Sequence, residues 1–164
     1  MNDPMRILKA DHREVEKLLT RLADSDEGSE REEMVQELAM KLTAHMEMEE
    51  SMVYPTVKTS VGEEDEEEAE IEHRLAREGL QTVQQMMEQP GFGAAVEMLK
   101  GGIMHHVQEE ETQIFPELKD AMSREEWAAM GDAIAEAKEA AGLPVPQPPK
   151  RRSTKRRTKA SSRR

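Results

Sequence analysis

Residues 45–55 read HMEMEESMVYP, and residues 106–116 read HVQEEETQIFP. Each has a histidine, a glutamate four residues later, a second glutamate directly after it, and a closing aromatic–proline pair, at Tyr54-Pro55 and Phe115-Pro116. The two copies start 61 residues apart. A spacing of four puts His45 and Glu49 on one face of a helix, and likewise His106 and Glu110. If that face points into a core, it buries a carboxylate, which is costly, and a single ion pair often does not recover the cost. A bound cation does recover it, because it offsets the carboxylate charge and gives each imidazole nitrogen a partner.

The residues around these stretches decide which way the faces point. Val96, Leu99 and Ile103 precede His106 and Glu110 in steps of three and four, and Leu38 and Leu42 precede His45, Glu49 and Met52 in the same way. Two further stripes have this spacing. One holds Met5, Leu8, His12, Val15, Leu19 and Leu22; the other holds Ala69, His73, Ala76, Leu80, Val83 and Met87. Stripes of this period face the core of a helical bundle. Four of the five histidines in the chain therefore lie on core stripes, one per helix.

Local signals bound the helices. Asp3-Pro4 suits an N-cap and first helical position, and the first helix should run to about residue 23, where DSDEGS breaks it. Ser29 and Glu32 have capping-box spacing for a second helix reaching about residue 57 to 59, bent or ended by Pro55. The third should span about 64–88 and stop at Pro90-Gly91, and the fourth about 93–122. Ser123 and Glu126 start a shorter fifth helix over 124–141, closed by Gly142. The expected fold is all-α: an up-down-up-down four-helix bundle with a short fifth helix, filling one domain over residues 1–142. Residues 143–164 read as a Pro-rich linker and a disordered basic tail.

Composition agrees. The chain has 164 residues, with 35% charged and 2% aromatic side chains, so Met, Leu, Ala and Val build the core, and helix is favoured over strand. It has no cysteine, which excludes disulfides, thiolate zinc sites and cysteine-ligated iron–sulfur clusters. No long apolar run opens the sequence, so neither a signal peptide nor a transmembrane span is expected, and the expected location is cytoplasmic. The net charge of −12 conceals two parts: residues 150–164 carry nine Lys or Arg and no acid, which leaves −21 on the rest. That body should repel nucleic acid. The tail, lacking aromatics, could contact nucleic acid or anionic surfaces without specificity, or serve only solubility.

The four stripes give a metal-ligand set of His12, His45, Glu49, His73, His106 and Glu110. If both glutamates bridge two metals, each metal receives two nitrogens and two oxygens, and positions stay open for a small ligand. Imidazole plus carboxylate suits iron, manganese or zinc. A histidine on the first helix, His-x-x-x-Glu on the second, a histidine on the third and His-x-x-x-Glu on the fourth resembles the hemerythrin-like (HHE cation-binding) family. So do the Glu-Glu-x-x-x-aromatic-Pro endings, and the resemblance covers about residues 4–120. It implies a centre of two iron ions with oxygen and carboxylate bridges, and chemistry with dioxygen, nitric oxide or hydrogen peroxide, or iron sensing.

Oxygen-carrying members of that family place a second histidine four residues after the first on helix three. Here that position is Arg77. One nitrogen fewer should leave one iron more open and favour peroxide decomposition, a catalase-like activity, or plain iron binding over reversible oxygen carriage. An iron storage or sensing module without catalysis is the alternative. Glu70, three residues before His73, could supply an extra oxygen. His105 reads as a surface or supporting residue, since it lies about 100° around the helix from His106. Glu50 and Glu111 read as supporting or solvated, and Tyr54 and Phe115 as pocket walls, with Tyr54 able to hydrogen-bond a bound oxygen species. No side chain of the inferred shell is an obvious general base. The acidic run 63–70 reads as the solvated start of helix three, or as guidance for incoming iron.

Overall fold

The computed structural model describes residues 2–147, and every regular element among them is helical. Helix α1 spans Pro4–Ala23 and α2 spans Ser29–Met48. A π-helical turn, Glu49–Val53, continues α2 into α3, Tyr54–Ser60. Helix α4 spans Glu63–Gln85, and α5 spans Phe92–Glu109 after a turn closed by Gly91, whose φ of 95° lies in the left-handed region. A second π-helical turn, Glu110–Ile114, leads into α6, Phe115–Ala121, and α7 covers Arg124–Ala140. Among the described residues no helix is long and apolar enough to cross a membrane.

Helices α1, α2, α4 and α5 close a ring, each packed on the next and α5 back on α1, while α7 lies against α1. This is the up-down-up-down bundle with its short fifth helix. The expected start of α1 is met, although the Asp3 side chain makes no capping bond. The capping box at Ser123 and Glu126 forms in full. Ser29 differs from expectation: it is the first helical residue, Gly28 stands before it at φ 140°, and no side chain caps that end. The chain does not leave the bundle at Gly142. Leu143 is buried, and Arg6 Nη1 donates to the Pro146 carbonyl at 2.9 Å. The basic tail, 150–164, lies outside the described residues.

The π-helical turns are the main departure from two unbroken helices, and proline is their cause. Pro55 and Pro116 have no N–H, and their rings would meet the carbonyl four residues back in an α-helix. The ladder instead widens to i→i+5 one residue earlier. Tyr54 N–H bonds the Glu49 carbonyl, and Phe115 N–H bonds the Glu110 carbonyl. In an α-helix, positions five apart point about 140° away from each other. The wider turn takes up about one residue, roughly 100°, of that offset. Glu49 (0% exposed) and Tyr54 (1%) both face inward, as do Glu110 (0%) and Phe115 (1%).

The core falls into two apolar clusters. One is built around Val15, Leu19, Leu38, Leu42, Val83, Val96 and Ile103. The other is built around Ile7, Leu8, Val57, Ala69, Phe115, Leu118 and Ile134. On every helix the buried histidine falls between residues of the first cluster and residues of the second. The polar layer is therefore sandwiched by hydrocarbon.

Candidate metal centre

All six residues expected from the sequence meet in that layer, and all are buried. The imidazoles form two pairs. His12 Nε2 and His45 Nε2 are 3.1 Å apart, and so are His73 Nε2 and His106 Nε2. The two glutamates span both pairs. Glu49 Oε2 lies 3.1 Å from His45 Nε2 and 3.3 Å from His73 Nε2, with Oε1 3.8 Å from His12 Nε2. Glu110 Oε2 lies 3.3 Å from His12 Nε2, and its Oε1 lies 3.5 Å from His106 Nε2.

The outer nitrogen of each imidazole faces a carboxylate. His12 Nδ1 reaches Glu111 Oε1 at 2.9 Å, His73 Nδ1 reaches Glu50 Oε1 at 2.9 Å, and His106 Nδ1 reaches Glu72 Oε2 at 2.7 Å. His45 Nδ1 faces Asp11 Oδ2 at 3.6 Å. A carboxylate only accepts, so Nδ1 carries the proton and the inward Nε2 keeps its lone pair. Two lone pairs facing each other at 3.1 Å repel unless a cation or a proton lies between them. Both oxygens of Glu49 and Oε2 of Glu110 are buried with no hydrogen-bond partner. Two groups of donors, His12, His45, Glu49 and Glu110 on one side and Glu49, His73 and His106 on the other, lie close enough to hold an ion each. The residues present thus fit metal cations.

Residues 3–141 match the family described as the hemerythrin HHE cation binding domain. The chain belongs to that family. A DNA nickase of Nostoc sp. is 30% identical over 126 residues, covering 74% of this chain and 36% of that protein. An uncharacterised hemerythrin-like protein of Schizosaccharomyces pombe is 29% identical over 132 residues, covering 78% of this chain and 65% of that one. The chain thus spans less than two thirds of either relative. The crystal structure of a hemerythrin HHE cation binding domain-containing protein from Mycobacterium kansasii superposes with a TM-score of 0.75 at 22% identity, covering 87% of this chain and 89% of that one. That likeness establishes the shared fold.

This HHE domain holds its histidines with more carboxylates than the sequence alone brought out. Glu50 and Glu111 take the supporting role expected of them. Arg77, in the place of the extra histidine, clamps Glu50 through Nη1 at 2.7 Å and Nη2 at 2.9 Å, and Arg13 Nη2 donates to Glu111 at 2.7 Å. Asp11 and Glu72 were not anticipated. Each directly precedes a histidine, at Asp11-His12 and Glu72-His73, and these dipeptides also lie 61 residues apart. That acid–histidine pairing was the available signal. The buried Lys138 of α7 donates to Asp11 Oδ1. Glu70 is exposed and belongs to neither group of donors. His105 stays at the surface, its side chain 62% exposed, with Nε2 3.4 Å from Glu109 and 3.6 Å from Glu72. Phe115 stacks on His12 with ring planes 7° apart. Tyr54 Oη donates to Glu110 Oε1 at 3.1 Å and lies 2.9 Å from His73 Nε2 and 3.3 Å from His106 Nε2.

Without a metal, protons balance the charge. Burial opposes protonation of His12, but Glu110 and Glu49 outweigh it and raise its pKa from 6.5 to about 10. Burial likewise opposes His45, and Glu49 and Asp11 raise it to about 9. His106 is raised too, against burial, by Glu110, Glu72 and Glu49. Burial pushes the Glu49 carboxyl up, yet His45, His12 and His73 hold it well below its usual range. Burial and the Glu110 and Glu49 charges drive the Tyr54 phenol well above 10, so it stays a donor.

Proposed function

We propose that the chain is a non-haem di-iron protein that takes up or turns over a small oxidant, through hydrogen peroxide decomposition or the binding of dioxygen or nitric oxide. The observation that carries this reading is the pair of inward Nε2 couples with Glu49 and Glu110 spanning both. Within the domain of residues 1–142, His12 and His45 would hold one iron and His73 and His106 the other, with Glu49 and Glu110 shared between the two sides. Bound irons supply redox chemistry and Lewis acidity that no side chain of this cysteine-free centre offers. Glu111, Glu50 and Glu72 keep the proton on Nδ1 of His12, His73 and His106 and so aim each Nε2 inward, while Asp11 faces His45 Nδ1 from 3.6 Å, beyond hydrogen-bond reach. The two apolar clusters exclude bulk water. Tyr54 Oη holds a proton at Glu110 Oε1, within reach of anything bound beside His73 and His106. Arg77 is spent on Glu50 and offers no nitrogen ligand.

The test is iron content and an absorption spectrum of the protein made in iron-supplemented medium, before and after hydrogen peroxide, with oxygen release followed directly. Two irons per chain are expected. Glu49→Gln and Glu110→Gln should lose iron while circular dichroism keeps the helical signal. Full iron retention by both variants would refute the ligand set. Oxygen release identifies an enzyme, and a stable new band identifies a binder.

A second reading concerns the tail. Nine Lys or Arg in residues 150–164 suit a polyanion, and one relative is named a DNA nickase. Binding through the tail should be unspecific and fall steeply with salt, by a slope of about −0.9 per phosphate neutralised on duplex DNA. Removal of residues 150–164 should abolish it, and unchanged affinity would refute it.

A further inference from the structure

Glycine inside a helix costs stability relative to alanine, so each helical glycine calls for a reason. Most here have one in packing. A Cβ on Gly79 would lie 2.9 Å from Leu99 Cδ1, on Gly93 3.0 Å from the Ala23 carbonyl, and on Gly131 2.2 Å from the Asn2 carbonyl. Gly101 and Gly102, adjacent in the middle of α5, have none. Their φ angles are not positive, and a Cβ on either meets nothing within 4 Å.

Gly102 has a special place. An inner cavity of about 20 Å³ lies against His12, His45, His73 and His106. An outer groove of about 570 Å³ runs between α4 and α5 and opens at the surface beside Leu75 and Met98. The two share Glu72, Ala76, Gly102 and Ile103, and Gly101 lines neither. The geometry points to Gly102 as a side-chain-free gate, through which a small uncharged molecule passes from the α4–α5 groove to the metal centre. The inference rests on the proposed uptake of a small molecule. The inner cavity exceeds only slightly the roughly 10–15 Å³ that one water needs, so it admits a molecule of diatomic size. Ala76 and Ile103 give the neck apolar walls, and the Glu72 carboxylate beside them disfavours anions. A side chain at 102 has free space to fill, and that space is the passage.

The experiment compares the full-length protein with Gly102→Leu and Gly101→Leu. Gly101→Leu is the control, because it lies about 100° around the same helix. With iron(II)-loaded protein, stopped-flow absorbance reads the association rate of nitric oxide. Gly102→Leu should slow it by about one to two powers of ten, the span over which on-rates of variants of one site move. Iron content and the final nitrosyl spectrum should stay as in the parent, and the melting temperature of neither variant should fall, since both replace a helical glycine that packs on nothing. Gly101→Leu should bind at the parental rate. Equal rates in the parent and Gly102→Leu, or equal slowing in both variants, would overturn the gate. If the parent takes up no nitric oxide, the functional reading fails instead, and the passage is decided by xenon. In the full chain without added metal at pH 6, xenon pressure should shift the amide signals of Ala76 and Ile103 in the parent and in Gly101→Leu but not in Gly102→Leu. Unshifted signals in the parent would overturn the passage itself.

Discussion

Raising the pH should unfold the metal-free protein and leave the metal-loaded protein intact. His12 and His45 are buried, and their folded pKa values, about 10 and about 9, lie above the unfolded 6.5. A histidine raised in this way stabilises the fold fully below pH 6.5, and that stabilisation is lost as pH climbs through the folded value. At about 1.4 kcal/mol per pKa unit, His12 contributes up to about 5 kcal/mol and His45 up to about 3 kcal/mol. Both face Glu49, so the contributions overlap and the total falls short of their sum. Even the larger one alone is a substantial part of the roughly 5–15 kcal/mol that holds a typical domain together. Glu49 works in the opposite sense. Its folded pKa is depressed well below 4.5, so its contribution is present above pH 4.5 and is lost as pH falls through the folded value. Stability of the metal-free protein should therefore peak between about pH 4.5 and 6.5. Above that window it should fall by roughly 1.4 kcal/mol per pH unit for each histidine that is protonated only in the folded state.

The assay is urea unfolding followed by circular dichroism, in the presence of a chelator, at intervals from pH 4 to 10.5. Metal-loaded protein is the control. There the ion replaces the protons, and the midpoint should hold as pH rises. A metal-free midpoint that is the same at pH 6 and pH 9.5 would refute the reasoning, because it would mean that the inward nitrogens hold no protons against Glu49 and Glu110.

Four further outcomes are expected. Asp11→Asn and Glu72→Gln each loosen the grip on one imidazole and should weaken metal binding by about 10- to 100-fold in chelator competition, with the fold retained. Lys138→Met leaves the partly buried Asp11 carboxylate without its cation and should cost about 2–3 kcal/mol in urea unfolding, below the roughly 3–5 kcal/mol of a fully buried pair; a loss below 1 kcal/mol would mean that solvent satisfies Asp11 in place of Lys138. Tyr54→Phe removes the hydroxyl that touches His73, His106 and Glu110 and should keep the iron content while changing the visible spectrum; identical spectra would show that the phenol makes no contact with a bound ion. Gly101→Ala should raise stability by about 0.5–1 kcal/mol, since that position gives up helix propensity with no packing return.

What the sequence made legible follows period and pattern. The 3-4 stripes placed His12, His45, His73 and His106 on the inner faces, and burial agrees at all four. The helix starts at Pro4 and Ser123 read correctly because each signal is local and unopposed. Ser29 was misread as the cap, because Gly28 takes the cap position with a backbone angle that a serine would resist, and Ser29 becomes the first helical residue. The π-helical turns were hidden for a different reason. Propensity does not separate an α-turn from a π-turn, and only the five-residue step from each glutamate to an aromatic followed by proline marks them. Asp11 and Glu72 sit one residue off their stripes, where a periodic reading assigns them to solvent. Lys138 reaches the site from a helix 127 residues downstream of Asp11, and no local pattern predicts such a contact.

The repeat also says where the two halves must differ. Histidine, glutamate, supporting acid and aromatic all recur at a separation of 61, so the centre is built as two copies of one half-site. Two departures break the symmetry. At the aromatic position the His12 side receives the Phe115 ring and the His73 side receives the Tyr54 hydroxyl. Among the described residues, Asp11 is paired with Lys138, Glu50 with Arg77 and Glu111 with Arg13, while Glu72 meets only the imidazoles of His105 and His106. A carboxylate without a fixed cation leaves its histidine the more electron-rich donor. Both departures fall on the His73–His106 pair, beside the Arg77–Glu50 clamp on His73. Two identical ions placed in this frame would thus not be equivalent, although each would meet two imidazole nitrogens: the one beside His73 and His106 would lie against the Tyr54 hydroxyl and next to the neck formed by Glu72, Ala76 and Gly102.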